Sequence, residues 1–162
     1  GVGGYFSPGI SSVRESVFVD VDDMSWRNTI LAHEFEHLLH NARDPFEYLW
    51  IDEGAADMAA YLCFGVTSAL VGHANAWSED SSLSVRWWNG RIADYGAGFM
   101  FMMHLSDKLG RGTAIQRLVA DTDTGEASIE NLVQNPEPGP TPNGSNMTGT
   151  FANLHATVDF YS

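Results

Sequence analysis

Apolar residues recur at helical spacing through much of this chain. Ile30, Leu31, Phe35, Leu38 and Leu39 mark one face of a helix over 26–41, with Asp22, Asp23 and Ser25 as candidate N-caps and Asp44-Pro45 as its end. A second helix is predicted from 45 or 46 through 61, closing near Gly65, followed by a shorter apolar segment over 66–74. The stretch 75–89 mixes Trp77, Trp87 and Trp88 with acids and serines, and reads as a structured loop. A third long helix covers 92–109 and stops at Gly110, with shorter helical patterns over 113–120 and 128–134. Phe151, Leu154, Val158 and Tyr161 fit a terminal helix, and 135–150 is a Pro/Gly/Asn/Ser-rich loop. Only 16–22, Ser-Val-Phe-Val-Asp-Val-Asp, has the β-rich composition of a strand, while 1–12 reads as irregular. The pattern predicts an α+β, mostly helical single domain over 1–162 with a small N-terminal strand component.

Composition narrows the function classes. A 44% hydrophobic chain of 162 residues supports a real core, and no eighteen-residue uncharged apolar run suggests a membrane span. The net charge of −13, with Lys108 the only lysine, argues against nucleic acid and anionic membranes as partners. Bound calcium near Asp20, Asp22 and Asp23, or near Asp121 and Asp123, is a further reading of that acidity. Cys63 is the only cysteine, so no intrachain disulfide forms, and its apolar surroundings predict a small buried hydrophobe. The chain starts at Gly1 without a leader, which fits a mature chain or a domain excised from a longer precursor. Asn143-Gly-Ser and Asn146-Met-Thr match glycosylation acceptors. Oligomeric state has no signature in the sequence.

The chemistry concentrates in His33-Glu34-Phe35-Glu36-His37. Residues four apart on a helix share a face, so both imidazoles can reach one zinc ion. Glu34 is offset by roughly 100° and can take a proton from water at the metal. On the next helix, Glu53 is placed to return as a third ligand. Asp57, four residues further along the same face, is placed to accept the free ring N–H of a ligating histidine and fix its tautomer. His40 shares the face of His33 and His37, but three imidazoles along one regular helix do not wrap a tetrahedral ion. A hydrogen-bonding role near the helix end is expected of it instead.

HEFEH followed by WIDEGAAD resembles the gluzincin zinc metallopeptidases. The EGAAD spacing is similar to the Glu-x-x-x-Asp of thermolysin-like enzymes, and WIDEG to the ligand helix of the aminopeptidase branch and of hyicolysin-like bacterial peptidases. Gly4-Tyr5-Phe6, the strand 17–21 and Asp94-Tyr95-Gly96-Ala97-Gly98-Phe99 look most like the hyicolysin group. The metzincin pattern fails, because His40 and Arg43 stand where it needs Gly and His. The resemblance implies a zincin-like fold, one catalytic zinc held by His33, His37 and Glu53, and Glu34 as general base. It also implies a protein or peptide substrate. The Gly-x-Met-Glu-Asn string that anchors a substrate amino terminus is missing, which favours an endopeptidase. An exopeptidase of the same fold and a non-catalytic zinc-stapled binding module remain alternatives, and a secreted location is expected.

Two roles stay more open. By analogy, Val17, Phe18, Val19 and Val21 supply an edge strand for extended substrate, or are purely structural. Tyr95 is the candidate oxyanion donor, with His73 and His155 as substitutes; His104 falls on the opposite side of the Tyr95 helix. Met100 to Leu105 reads as core, whereas Trp77, Trp87 and Trp88 either line pockets or cover the core.

Overall fold

Alanine and glycine dominate the middle of the second long apolar stretch, and that composition decides which helix lies deepest. The computed structural model describes residues 3–11, 15–20, 26–110 and 112–135. These form β1 (Gly4–Phe6), α1 (Pro8–Ser11), β2 (Val17–Val19), α2 (Arg27–Asn41), α3 (Leu49–Phe64), α4 (Ser68–Glu79), α5 (Ile92–Leu109), α6 (Gly112–Ala120) and α7 (Glu126–Gln134). The fold is mostly helical with one antiparallel two-stranded sheet, an α+β arrangement. No described helix is long and apolar enough to cross a membrane.

Helix α3 packs against α2 and against α5, and its Ile51, Ala55, Ala56 and Ala60 are fully buried. Small side chains allow that close approach on more than one side. Where α3 meets α5, a Cβ on Gly54 would stand 2.8 Å from the Gly98 carbonyl oxygen, and one on Gly98 would stand 2.9 Å from that of Trp50. Gly96 likewise lets α5 touch the backbone of α4 at His73. Phe99, Phe101, Met102 and Leu105 of α5 fill the core with Trp50, Ile51 and Met58, and α6 and α7 add Ile115, Leu118 and Leu132. The core reading of that α5 segment is thus correct. Asp94 anchors the start of α5 by accepting from the backbone N–H groups of Asn89 and Arg91.

Several expectations need correction. The first residues are not irregular: β1 pairs with β2 in the register Gly4↔Val19, Tyr5↔Phe18, Phe6↔Val17, and the rings of Tyr5 and Phe18 stack 4.6 Å apart. Gly4 masks the strand signal, yet the space requires it, since a Cβ there would meet the Phe18 carbonyl oxygen at 2.7 Å. Helix α3 starts at Leu49 because Asp44 and Glu47 turn back onto the backbone N–H groups of Phe46 and Tyr48. Helix α4 continues to Glu79 and absorbs Trp77, leaving a shorter loop. Cys63 is exposed near the end of α3, not buried. On α2 the expected apolar face is turned outward: Leu31, Phe35 and Leu39 are exposed, while Glu34, Glu36, His37 and His40 are buried. The polar side faces inward because that is where α3 brings its own carboxylates. Val21, the caps at Asp22, Asp23 and Ser25, the acceptors Asn143 and Asn146, His155 and the terminal helix lie outside the described residues.

Glu47 ties the α2–α3 loop to a distant part of the chain. Its Oε1 accepts from the Gly125 N–H at 2.7 Å and its Oε2 from the Ser128 hydroxyl at 3.2 Å. Asp121 and Asp123 both accept from the Asn131 side chain, and Asp121 also accepts from the N–H groups of Thr122 and Asp123.

Two glycines on adjacent helices test the packing account with opposite signs. Gly96→Ala would press into α4 and is expected to lower stability by roughly 1–3 kcal/mol. Gly72→Ala lies on α4, where the added methyl group meets nothing within 4 Å beyond its own stretch of helix, and is expected to raise stability by roughly 0.5–1 kcal/mol. Thermal and urea unfolding of the two variants reads both signs. A Gly96→Ala protein as stable as the parent would refute the close α4–α5 contact.

Candidate metal centre

Two consecutive helices bring three electron-pair donors together. His33 Nε2 and His37 Nε2 are 3.1 Å apart; Glu53 Oε2 is 3.1 Å from the first and 3.5 Å from the second. Donors held about 2.0–2.1 Å from a tetrahedral ion stand about 3.3 Å from one another, so this spacing fits zinc. Geometry alone also admits other first-row divalent ions, and the N₂O donor set suits zinc among them.

The far nitrogens explain why the near ones converge. His33 Nδ1–H donates to Asp57 Oδ1 at 2.9 Å, and His37 Nδ1–H donates to Asp52 Oδ1 at 3.0 Å. Each carboxylate fixes a tautomer that leaves an Nε2 lone pair facing its neighbour. Two lone pairs and a carboxylate oxygen within 3.5 Å repel one another unless a cation lies among them. Asp57 also accepts from His73 Nδ1–H through Oδ2, at 2.6 Å, so one buried carboxylate orients two rings from different helices.

With protons as the only cations present, the electrostatics say the same. Burial opposes charge on both rings, yet hydrogen bonds to Asp57 and Glu53 bring His33 up to about 9, and those to Asp52 and Glu53 bring His37 up to about 11. Burial works against the Glu53 anion too, but hydrogen bonds from the two rings hold its carboxyl down at about 2. The pocket is built for positive charge beside Glu53.

Glu34 sits beside the donors, not among them. It is 8% exposed, burial raises its pKa, and it shares the cavity wall with Phe6 of β1. Tyr95 reaches the same place from α5, where burial followed by the charges of Glu53, Asp57 and Glu34 pushes its pKa up to about 12. Its ring lies against those of His73, at 5.2 Å, and Trp88, at 4.8 Å. His33, Glu34, His37, Glu53 and Tyr95 open into a cavity of about 420 Å³ that also includes Tyr5 and Phe6 of β1, Asp44 and Glu47 of the α2–α3 loop and Leu49 at the start of α3.

The structure therefore gathers His33, Glu34, His37, Glu53, Asp57 and Tyr95, all six residues singled out from the sequence. The strand assignment needs correction: β1, not β2, lines the cleft. His40 is not in the donor group; its Nδ1 is 3.1 Å from Glu36 and 3.5 Å from Asp52, without an aligned hydrogen bond to either. His104 lies in a different, largely apolar cavity with Trp77 and Val85, where burial lowers its pKa. Sequence reasoning missed Asp52 as the partner of His37 and His73 as the second partner of Asp57. Asp52 had a signal, an acid directly before the expected ligand, whereas His73 arrives on another helix at no diagnostic spacing.

The ring pKa values give a pH dependence with a definite sign. Both histidines are raised above their unfolded value, so without metal they stabilise the fold fully below about pH 6.5, and that contribution is lost as pH rises through about 9 and then 11. Metal-free protein is thus expected to lose thermal stability from pH 7 to 10, while zinc-loaded protein keeps it. Zinc uptake at pH 7 should release about two protons, measured by titration calorimetry in buffers of different ionisation enthalpy. Uptake without proton release would contradict the assignment of His33 and His37 as ligands.

Compared with known proteins, the chain matches no family model, no curated protein and no solved structure.

Proposed function

We propose that this chain is a secreted zinc endopeptidase of the gluzincin kind, with a zincin-like fold, hydrolysing protein or peptide substrates. The observation that carries the reading is the convergence of His33, His37 and Glu53 beside two groups, Glu34 and Tyr95, with no closed four-residue site completed among the described residues. Three protein ligands with an open position mark a catalytic site, not a structural one. Zinc bound there supplies Lewis acidity toward the scissile carbonyl and toward water.

The chain's own residues account for the remaining work. Glu34, buried and with its pKa raised, takes the proton from the attacking water and passes it to the leaving amine. The Tyr95 hydroxyl, kept protonated by its surroundings, donates to the oxygen that gains charge as the carbonyl carbon becomes tetrahedral. Asp57 and Asp52 hold the two rings in orientation throughout. The β1 edge that lines the cleft offers backbone groups for pairing with an extended substrate.

Metal analysis joined to cleavage of an unfolded protein, with and without chelator, tests the reading. Glu34→Gln is expected to retain one zinc per chain while losing about 10²–10⁴-fold in kcat. Tyr95→Phe is expected to retain zinc and lose about 10²-fold in kcat with KM little changed. Zinc-loaded Glu34→Gln protein that still cleaves at the parental rate would end the proposal.

A further inference from the structure

Among the described residues, the walls of the cleft carry five carboxylates, Glu34, Asp44, Glu47, Asp52 and Glu53, and neither lysine nor arginine. Glu34 and Glu53 belong to the chemistry. The other three lie toward the C-terminal end of α2, on the loop after it and the first turn of α3, while β1 forms the other part of the wall. A dication held by the three donors and partly neutralised by Glu53 leaves this end with surplus negative charge. The C-terminal carbonyl end of the fifteen-residue α2 adds to it.

Asp44 makes this more than an acidic rim. The residue is only 5% exposed and lines the cleft; its Oδ1 accepts from the Phe46 N–H at 3.0 Å, while its Oδ2 is buried without a hydrogen-bond partner. A buried carboxylate oxygen beside a cavity calls for a donor, and a cationic one satisfies it best. His40 is buried within 3.1 Å of Glu36 and does not line the cavity.

We infer that the cleft beyond His37, bounded by Asp44, Glu47 and Asp52, is a subsite for a positively charged amine or guanidinium of the substrate. Two parts of a peptide carry that chemistry, a Lys or Arg side chain and a free α-amine. The inference rests on the peptidase reading for the word substrate, but the charge preference can be measured without turnover. The net charge of −13 would draw the same ligands toward the protein, an effect that salt weakens.

The test uses zinc-loaded protein and one peptide in matched versions: Arg against citrulline and Lys against norleucine, each with a free or an acetylated amino terminus. Cleavage is followed as kcat/KM, and binding is followed separately by fluorescence anisotropy on zinc-loaded Glu34→Gln. The cationic member of a pair is expected to be favoured about tenfold or more in both assays, with the preference reduced in Asp44→Asn, which keeps the oxygen that accepts from Phe46. A preference that survives acetylation assigns the subsite to a side chain. One that disappears on acetylation, whatever the side chain, assigns it to the α-amine. Equal binding of charged and neutral peptides by the parental cleft overturns the inference, whether or not Asp44→Asn folds. Selective binding with no cleavage of any peptide by zinc-loaded parent would keep the subsite and remove the peptidase reading.

Discussion

Three acceptor atoms, from His33, His37 and Glu53, are held within 3.5 Å of one another. Left to themselves they repel. The arrangement persists because the other side of each ring is committed to a carboxylate and because α2 and α3 are packed along their length. The fold thus supplies the energy that keeps like-signed donors together, and a cation or protons placed among them would recover it. This is the physical meaning of preorganisation here: helix packing and the carboxylate partners of the rings set the donor geometry.

That arrangement needs a rigid support, and α3 provides it. Glu53 and Asp57 lie one turn apart on a helix whose intervening Ala55 and Ala56 are fully buried, so neither carboxylate can shift without moving the core. The Gly54–Gly98 contact also draws the start of α5 toward Glu53, and that is what places Tyr95 in the cleft. Core packing and site geometry depend on the same small residues.

How much of this could be read from the chain differs by kind of feature. The convergence of His33, His37 and Glu53 was legible because HExxH and the following Glu-x-x-x-Asp are local patterns with fixed helical geometry. The run of helices was legible in outline, and α5 within its observed bounds, Ile92–Leu109, because Gly110 ends it. Strand β1 was not legible, since Gly4 lowers local strand preference for the sake of a contact with β2. Nor was the face α2 turns inward. Periodicity reports where apolar residues line up, and Leu31, Phe35 and Leu39 do line up, but the buried face is chosen by carboxylates and imidazoles from α3. His73 escaped for a similar reason: its value comes from reaching Asp57 across two helices.

The bridge from Glu47 to Gly125 and Ser128 joins residues about eighty positions apart, and it spans the loop that walls one end of the cleft. The donor-bearing helix pair is therefore not a separable unit. A fragment ending before α7 would retain the donor residues of α2 and α3 but would free the loop that shapes the opening beside them. Losing Gly125 and Ser128 would be felt in the breadth of the mouth rather than in the spacing of the donor atoms.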